Sequence, residues 1–372
     1  MSGLPAGLPV SADFIDRQLW RRQQGYGRGG RMKLETDRVE IVSGVRHSKT
    51  IGSPVAMILR NKDWTNWSEA LPVEDYPESA AKAKPLDRPR PGHADLAGCL
   101  QRNFPEARYV LERASARETA ARVAAGALAK LLLTELGVQA LSHVIAAGHV
   151  HLDREASWEE LAALAERDEV LLSCVDAAAE QRMKEVVDEA LRTGDTVGGI
   201  FEVVARGAPP GLGSYASWDA RLDGQLAQAV MSMQAVKAVE IGRGVENAVS
   251  FGSRVQDAIR YDRAERRFRR PTNRAGGLEG GMTNGEDVVV RGYLKPISTL
   301  RKPLESVDLR TRDASVAAYE RSDVCVLPAA AVIGEAMVAL TLAAAAVEKF
   351  GGDSLGEMKR NFNGYAEQLR SF

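Results

Sequence analysis

VCVLPAAAVIGEAMVALTLAAAAVEKF, residues Val324–Phe350, is the stretch whose reading decides the architecture. It is apolar and long enough to cross a bilayer. Pro328 and Glu335 interrupt it, and its side chains are mostly Ala and Val, small enough to pack on two sides at once. The stretch therefore reads as a buried core helix over Ala329–Phe350, and the chain as a soluble protein with no membrane partner.

Working outward, apolar periodicity predicts further helices at Ala116–Leu136, Trp158–Glu166, Ala179–Leu191, Leu222–Ile241 and Ser354–Leu369. Strand patterns fall at Arg38–Val42, Val55–Leu59, Val138–Ala147, Gly199–Ala205 and Val288–Leu294. Helices and strands do not alternate in a βαβ rhythm, so mixed α+β layers fit better than a doubly wound parallel sheet. Long polar or glycine-rich connections lie at Gln23–Arg31, Pro72–Pro91, Gly207–Tyr215 and Arg263–Asp287. Connections of that length without structure of their own are uncommon unless functional or disordered.

The bulk chemistry narrows the function. The 372 residues carry 49 Lys and Arg against 50 Asp and Glu, a net charge of −1, which argues against a surface built for nucleic acid. Cys99, Cys174 and Cys325 are scattered with no CxxC pair, giving neither a disulfide framework nor a metal site and suiting a reducing, cytoplasmic compartment. Met1–Pro9 has no export-signal pattern.

Four motifs carry chemistry. Arg21-Arg22-Gln23-Gln24-Gly25-Tyr26-Gly27-Arg28-Gly29-Gly30-Arg31 resembles an RGG-type RNA-binding segment, yet it is a single copy running straight into a strand. In a neutral protein such an arginine cluster suits a small dianion better, because the guanidinium fork matches phosphate or carboxylate oxygens. Gly44-Val45-Arg46-His47-Ser48-Lys49-Thr50 invites a phosphate-loop reading, but Ser43 and Ser48 stand where that loop needs glycine, so it is rejected. Gly276–Gly285 holds five glycines, for close backbone approach to a ligand or for successive turns with positive φ. His93, in Arg88-Pro89-Arg90-Pro91-Gly92-His93-Ala94-Asp95, sits among arginines with an acid two residues on, a setting suited to proton transfer near neutral pH.

Taken together, these blocks resemble the chorismate synthase family. Arg21–Met32, Arg88–Asp95, Arg113-Ala-Ser-Ala-Arg-Glu-Thr119, Gln234-Ala-Val-Lys-Ala-Val-Glu240, Thr272–Gly285, Lys295-Pro-Ile-Ser-Thr299 and Arg321-Ser-Asp-Val-Cys325 follow the family's order over nearly the whole chain. The resemblance implies a single domain over 1–372, a layered β-α-β sandwich of antiparallel sheets with helices, assembled as a homotetramer. It implies a carbon–oxygen lyase converting 5-enolpyruvylshikimate 3-phosphate to chorismate with reduced FMN, NADPH being the ultimate reductant. By matching motif, Arg22 and Arg28 would bind anionic groups of substrate or NADP. Arg113, Ala114, Ser115, Gln234, Ala235, Gly280, Lys295, Pro296, Ile297, Ser298, Thr299 and Arg321 would line the flavin. His93 would protonate or hydrogen-bond the reduced flavin, and Asp323 would assist removal of the substrate proton.

The family's Gly-Glu-Ser-His-Gly motif, whose histidine is thought to protonate the departing phosphate, would stand ahead of Gly3–Pro9, where only Met1 and Ser2 precede. The resemblance thus implies an N-terminally truncated member of the family, or an impaired paralogue that keeps a flavin and anion pocket. An RNA-binding protein using the Arg-Gly loop is the competing reading, and it requires salt-sensitive binding to polynucleotide.

Overall fold

The structure, a computed structural model, describes residues 1–29, 36–73, 84–320 and 322–372. Its centre is the helix Leu327–Phe350, with Pro328 in its first turn and Gly351 at its C-terminal cap. This core helix is buried along most of its length, as a central helix made of small side chains can be. Helix Thr119–Thr134 crosses it closely because Gly126 has no side chain: a methyl there would fall 2.4 Å from the Ala336 Cβ.

Beneath the core helix lies a five-stranded antiparallel sheet. Its spatial order is Val150–His151, Gln139–Ala147, Gly199–Arg206, Val288–Leu294 and Val236–Ile241. Alternation puts Ala140, Val144, Phe201, Val203, Val288 and Val290 into the core. The Phe201 ring is admitted only because Gly292 in the next strand and Gly334 in the core helix lack side chains. The named strands pair antiparallel, with helices packed on the central sheet, which is the expected α+β class.

Two sequence expectations need correction. Leu222–Ile241 is not one helix: the helix ends at Met231, and Val236–Ile241 is an edge strand paired with Val288–Leu294. The run Ala235-Val-Lys-Ala-Val-Glu-Ile241 fits either period, and Ala235 at φ 67° turns the chain out of the helix and into the sheet. Arg263–Asp287 is not structureless either. It holds hairpin strands Arg267–Arg269, paired with Arg260–Asp262, and Leu278–Glu279, paired with Met282–Thr283. Helices Ala12–Gln23, Asp95–Arg102 and Arg108–Ala114 also form where periodicity predicted none.

Candidate active site

Helix Ala12–Gln23, capped by the Ser11 side chain, carries in its last turn two arginines that take different partners. Arg21 enters the core, where it grips Glu335 through two hydrogen bonds of 2.7 and 3.0 Å. Arg22, one residue and about 100° further round the helix, pairs with Asp37 at 2.8 Å. Arg117 donates to the same Asp37 oxygen at 2.6 Å. Burial holds Arg22 below its ordinary pKa, with Arg117 and Arg28 adding to the effect against the opposing pull of Asp37. Burial opposes the charge of Asp37, but Arg117 and Arg22 outweigh it and hold its carboxyl below the usual range. The Arg22 Nε is buried with no partner among the described residues.

The chain then loops through Gly25–Gly29 against the entry to the core helix. Val324 N–H donates to the Gly27 carbonyl at 2.8 Å. Arg28 pairs with one Asp323 oxygen at 2.9 Å, and the Gly29 N–H donates to the other at 2.6 Å. A cleft of about 320 Å³ opens here, lined by Tyr26, Arg28, Arg301 and Ser322 among others. Arg28 lines it while paired with Asp323, and Arg22 and Arg117 meet at Asp37. The guanidinium fork suits a small anion such as phosphate or carboxylate. Arg21 is committed to its buried contact with Glu335, so the RNA-binding reading loses its leading arginine.

A second cluster surrounds His93. The turn Arg88–Ala94 leads into helix Asp95–Arg102, whose first residue is wholly buried. Asp95 accepts hydrogen bonds from the Arg90 N–H at 3.0 Å, from Arg90 Nε at 2.8 Å and from Arg90 Nη2 at 3.0 Å. His93 Nδ1 lies 2.5 Å from the remaining face of the same carboxylate. Burial works against the Asp95 charge, yet these bonds prevail and hold the carboxyl far below its usual range. Arg90 Nη1 donates to Thr299 Oγ1 at 3.1 Å, which ties the histidine turn to the Lys295–Thr299 segment.

That segment leaves the sheet at a register shift between Tyr293 and Leu294, the sort of bulge that re-aims a chain. Lys295 N–H donates to the Ala235 carbonyl at 3.0 Å. Lys295 Nζ donates to Gly92 O and Ser298 Oγ, each at 2.9 Å. Burial, with Lys237 nearby, pushes the Lys295 ammonium below its ordinary pKa. The Ile297 carbonyl accepts from Thr196, and Pro296 runs beside Gly198.

Gln234 and Ala235 stand at the helix-to-strand turn. Gln234 Nε2 donates to Glu118 at 2.7 Å, while its Oε1 is buried with no partner among the described residues. Glu118 bonds Arg122 and feels the charge of Arg113. Helix Arg108–Ala114 ends there, and Ser115 caps the following turn by accepting from Arg117 N–H.

His93, Lys295–Thr299, Ala235 and Gln234 are thus linked through Arg90 and Lys295, Arg113 lies within reach of the Glu118 charge, Arg22 and Arg117 meet at Asp37, and Arg28 pairs with Asp323. Gly280 does not join them. The hairpin bearing Gly280 packs at the N-terminal end of helix Leu222–Met231, where Leu222 N–H donates to the Gly281 carbonyl. Gln234 lies beyond the other end, about 15 Å away for ten helical residues. All five glycines of Gly276–Gly285 have positive φ, so the reading as successive turns accounts for them. Arg321 lies outside the described residues. Sequence reasoning missed Asp37, Arg90, Asp95, Arg117 and Glu118. Arg90 and Asp95 could have been found from their spacing around His93; Asp37 carries no local signal.

The chorismate synthase family model matches residues 1–347. The chorismate synthase of Solibacter usitatus is 70% identical over 372 residues, covering 100% of this chain and 95% of that protein. That of Koribacter versatilis is 66% identical over 377 aligned positions with the same coverage. A crystal structure of a chorismate synthase superposes with a TM-score of 0.78 at 38% identity, covering 100% of this chain and 93% of the other.

Proposed function

The chain belongs to the chorismate synthase family, and from that premise we propose how its own residues carry the family's reaction. The enzyme is a lyase of the shikimate pathway that eliminates phosphate from 5-enolpyruvylshikimate 3-phosphate to form chorismate. One C–O bond to phosphate and one C–H bond break, and a second ring double bond forms. The family needs reduced flavin, which when bound supplies the electron-rich partner that no side chain can.

The residues here fit such a group. The buried Gln234 Oε1 has no donor among the described residues, and a ring N–H could supply one. Arg113–Ser115, Gln234–Ala235 and Lys295–Thr299 would hold reduced FMN, with NADPH as the ultimate reductant. Arg22 and Arg28, supported by Arg117, bind the anionic groups of the substrate. Their charge also favours the phosphate as it leaves and gains charge. Asp323, held in place by Arg28 and the Gly29 N–H, assists removal of the substrate proton. His93 holds a proton at the flavin edge of the site. The protein works in the cytoplasm as a homotetramer.

The observation that carries this reading is the hydrogen-bonded linkage of the His93 turn to the Lys295–Thr299 segment and on to Ala235, together with Arg28, paired to Asp323, lining the cleft. The test is an anaerobic assay of this chain with reduced FMN and 5-enolpyruvylshikimate 3-phosphate, following chorismate by absorbance. Turnover that falls at least 100-fold in both His93→Ala and Asp323→Asn is the expected result. Full activity in either variant overturns the role given to that residue.

A further inference from the structure

We propose that Asp95 is the positioning residue for His93, fixing both the orientation of the imidazole and the nitrogen that carries its working proton. The inference rests on the reading of His93 as a proton-holding group and goes beyond it. Nδ1 stands 2.5 Å from Asp95 Oδ1, and a carboxylate can only accept, so Nδ1 carries the hydrogen in the neutral ring. Nε2 is then the nitrogen left to gain or lose a proton, and about a fifth of the side chain is open to solvent. Arg90 Nη2 lies 3.1 Å from Nδ1 and 3.4 Å from Nε2. At 2.5 Å against 3.1 Å, the Asp95 contact is the shorter of the two at Nδ1, and it decides where that hydrogen sits.

Asp95 suits orientation and not proton transfer. It is wholly buried, and both oxygens are engaged by Arg90. A carboxylate so saturated with donors stays ionised, as its depressed pKa also indicates. Arg90 in turn reaches Thr299, so the imidazole is referenced to the Lys295–Thr299 segment rather than left on a mobile turn. The sequence prepares this geometry: Gly92 turns the chain at φ 75°, and Asp95 opens a helix two residues after His93. This is the logic by which a second group fixes the tautomer of a working histidine.

The experiment is a double-mutant cycle with His93→Ala, Asp95→Asn and the pair, assayed anaerobically with reduced FMN and 5-enolpyruvylshikimate 3-phosphate. If Asp95 acts through His93, Asp95→Asn lowers kcat by ~10²-fold, the scale of a lost general acid or base. KM then changes less than about threefold, and the same substitution in the His93→Ala background costs less than about threefold. Losses that multiply in the double variant overturn the proposal and leave Asp95 a structural residue. Undiminished kcat in His93→Ala overturns the proposal together with the reading of His93. Should Asp95→Asn fail to fold, the ¹⁵N-histidine spectrum of the wild-type holoenzyme decides, its His93 signal identified by its absence in His93→Ala. A neutral Nδ1–H tautomer supports the proposal, and a neutral Nε2–H tautomer overturns it.

Discussion

Replacing Glu335 by Gln removes the one acid from the otherwise apolar Ala329–Val347 portion of the core helix, and the structure sets the size of the effect. Glu335 is 1% exposed and accepts from Arg21 at 2.7 and 3.0 Å, from Ser142 Oγ at 2.8 Å, and from Lys130. The amide would leave two cations buried without a counter-charge, a change that costs about 3–5 kcal/mol. Proton linkage gives a similar figure. Although burial opposes its charge, Arg21 and Lys130 pull the Glu335 carboxyl down to about 2 from 4.5. The shift corresponds to about 3 kcal/mol of stability. Because the folded pKa is depressed, that contribution is complete above about pH 4.5 and is lost as pH falls towards 2. Burial pushes Lys130 below its ordinary value, so the variant should recover stability at alkaline pH as this lysine discharges.

The assay is urea unfolding of both proteins at pH 7, 5 and 3, at one protomer concentration because assembly shifts apparent stability. The expected result is a loss of about 3–5 kcal/mol at pH 7 that shrinks towards pH 3. A variant within about 1 kcal/mol of wild type at pH 7, or one with an unchanged acid slope, refutes the reasoning, since surface pairs are worth that little.

Three further outcomes are expected. Gly126→Ala should destabilise by about 1–3 kcal/mol in thermal unfolding, although Ala is the better helix former, because its methyl would meet Ala336 at 2.4 Å. Arg22→Ala should raise KM for the phosphorylated substrate by on the order of 10–100-fold in steady-state kinetics, the worth of one charged hydrogen bond. Ser48→Gly should stabilise by up to about 1 kcal/mol in the same thermal assay, because Ser48 sits at φ 57° in the tight turn between paired strands Val45–Arg46 and Lys49–Thr50.

Much of the fold was legible. The core helix, Val138–Ala147, Gly199–Ala205 and Val288–Leu294 lie within two residues of their expected bounds at each end. The core helix is marked by an almost unbroken apolar run and the strands by short apolar, β-branched runs, and both signals are local. The candidate site is legible in the sequence as residue types: arginines in a loop and a histidine beside an acid. It is less legible as geometry. Nothing local distinguishes Arg21 from Arg22, yet one is a core anchor and the other faces the anion cluster.

What the sequence by itself determined was therefore which segments bury and which residue types converge on the reaction, because both are carried by patterns a few residues long. Tertiary structure alone decided that Leu222–Ile241 breaks at Ala235, where the edge of the sheet offers Val236–Ile241 a ladder of hydrogen bonds that outweighs its helical period. It also decided which partners the charged groups take. Arg21 meets a glutamate 314 residues away and Arg90 a threonine 209 residues away. Such pairs depend on where packed helices and strands bring their ends, and no local pattern encodes that distance.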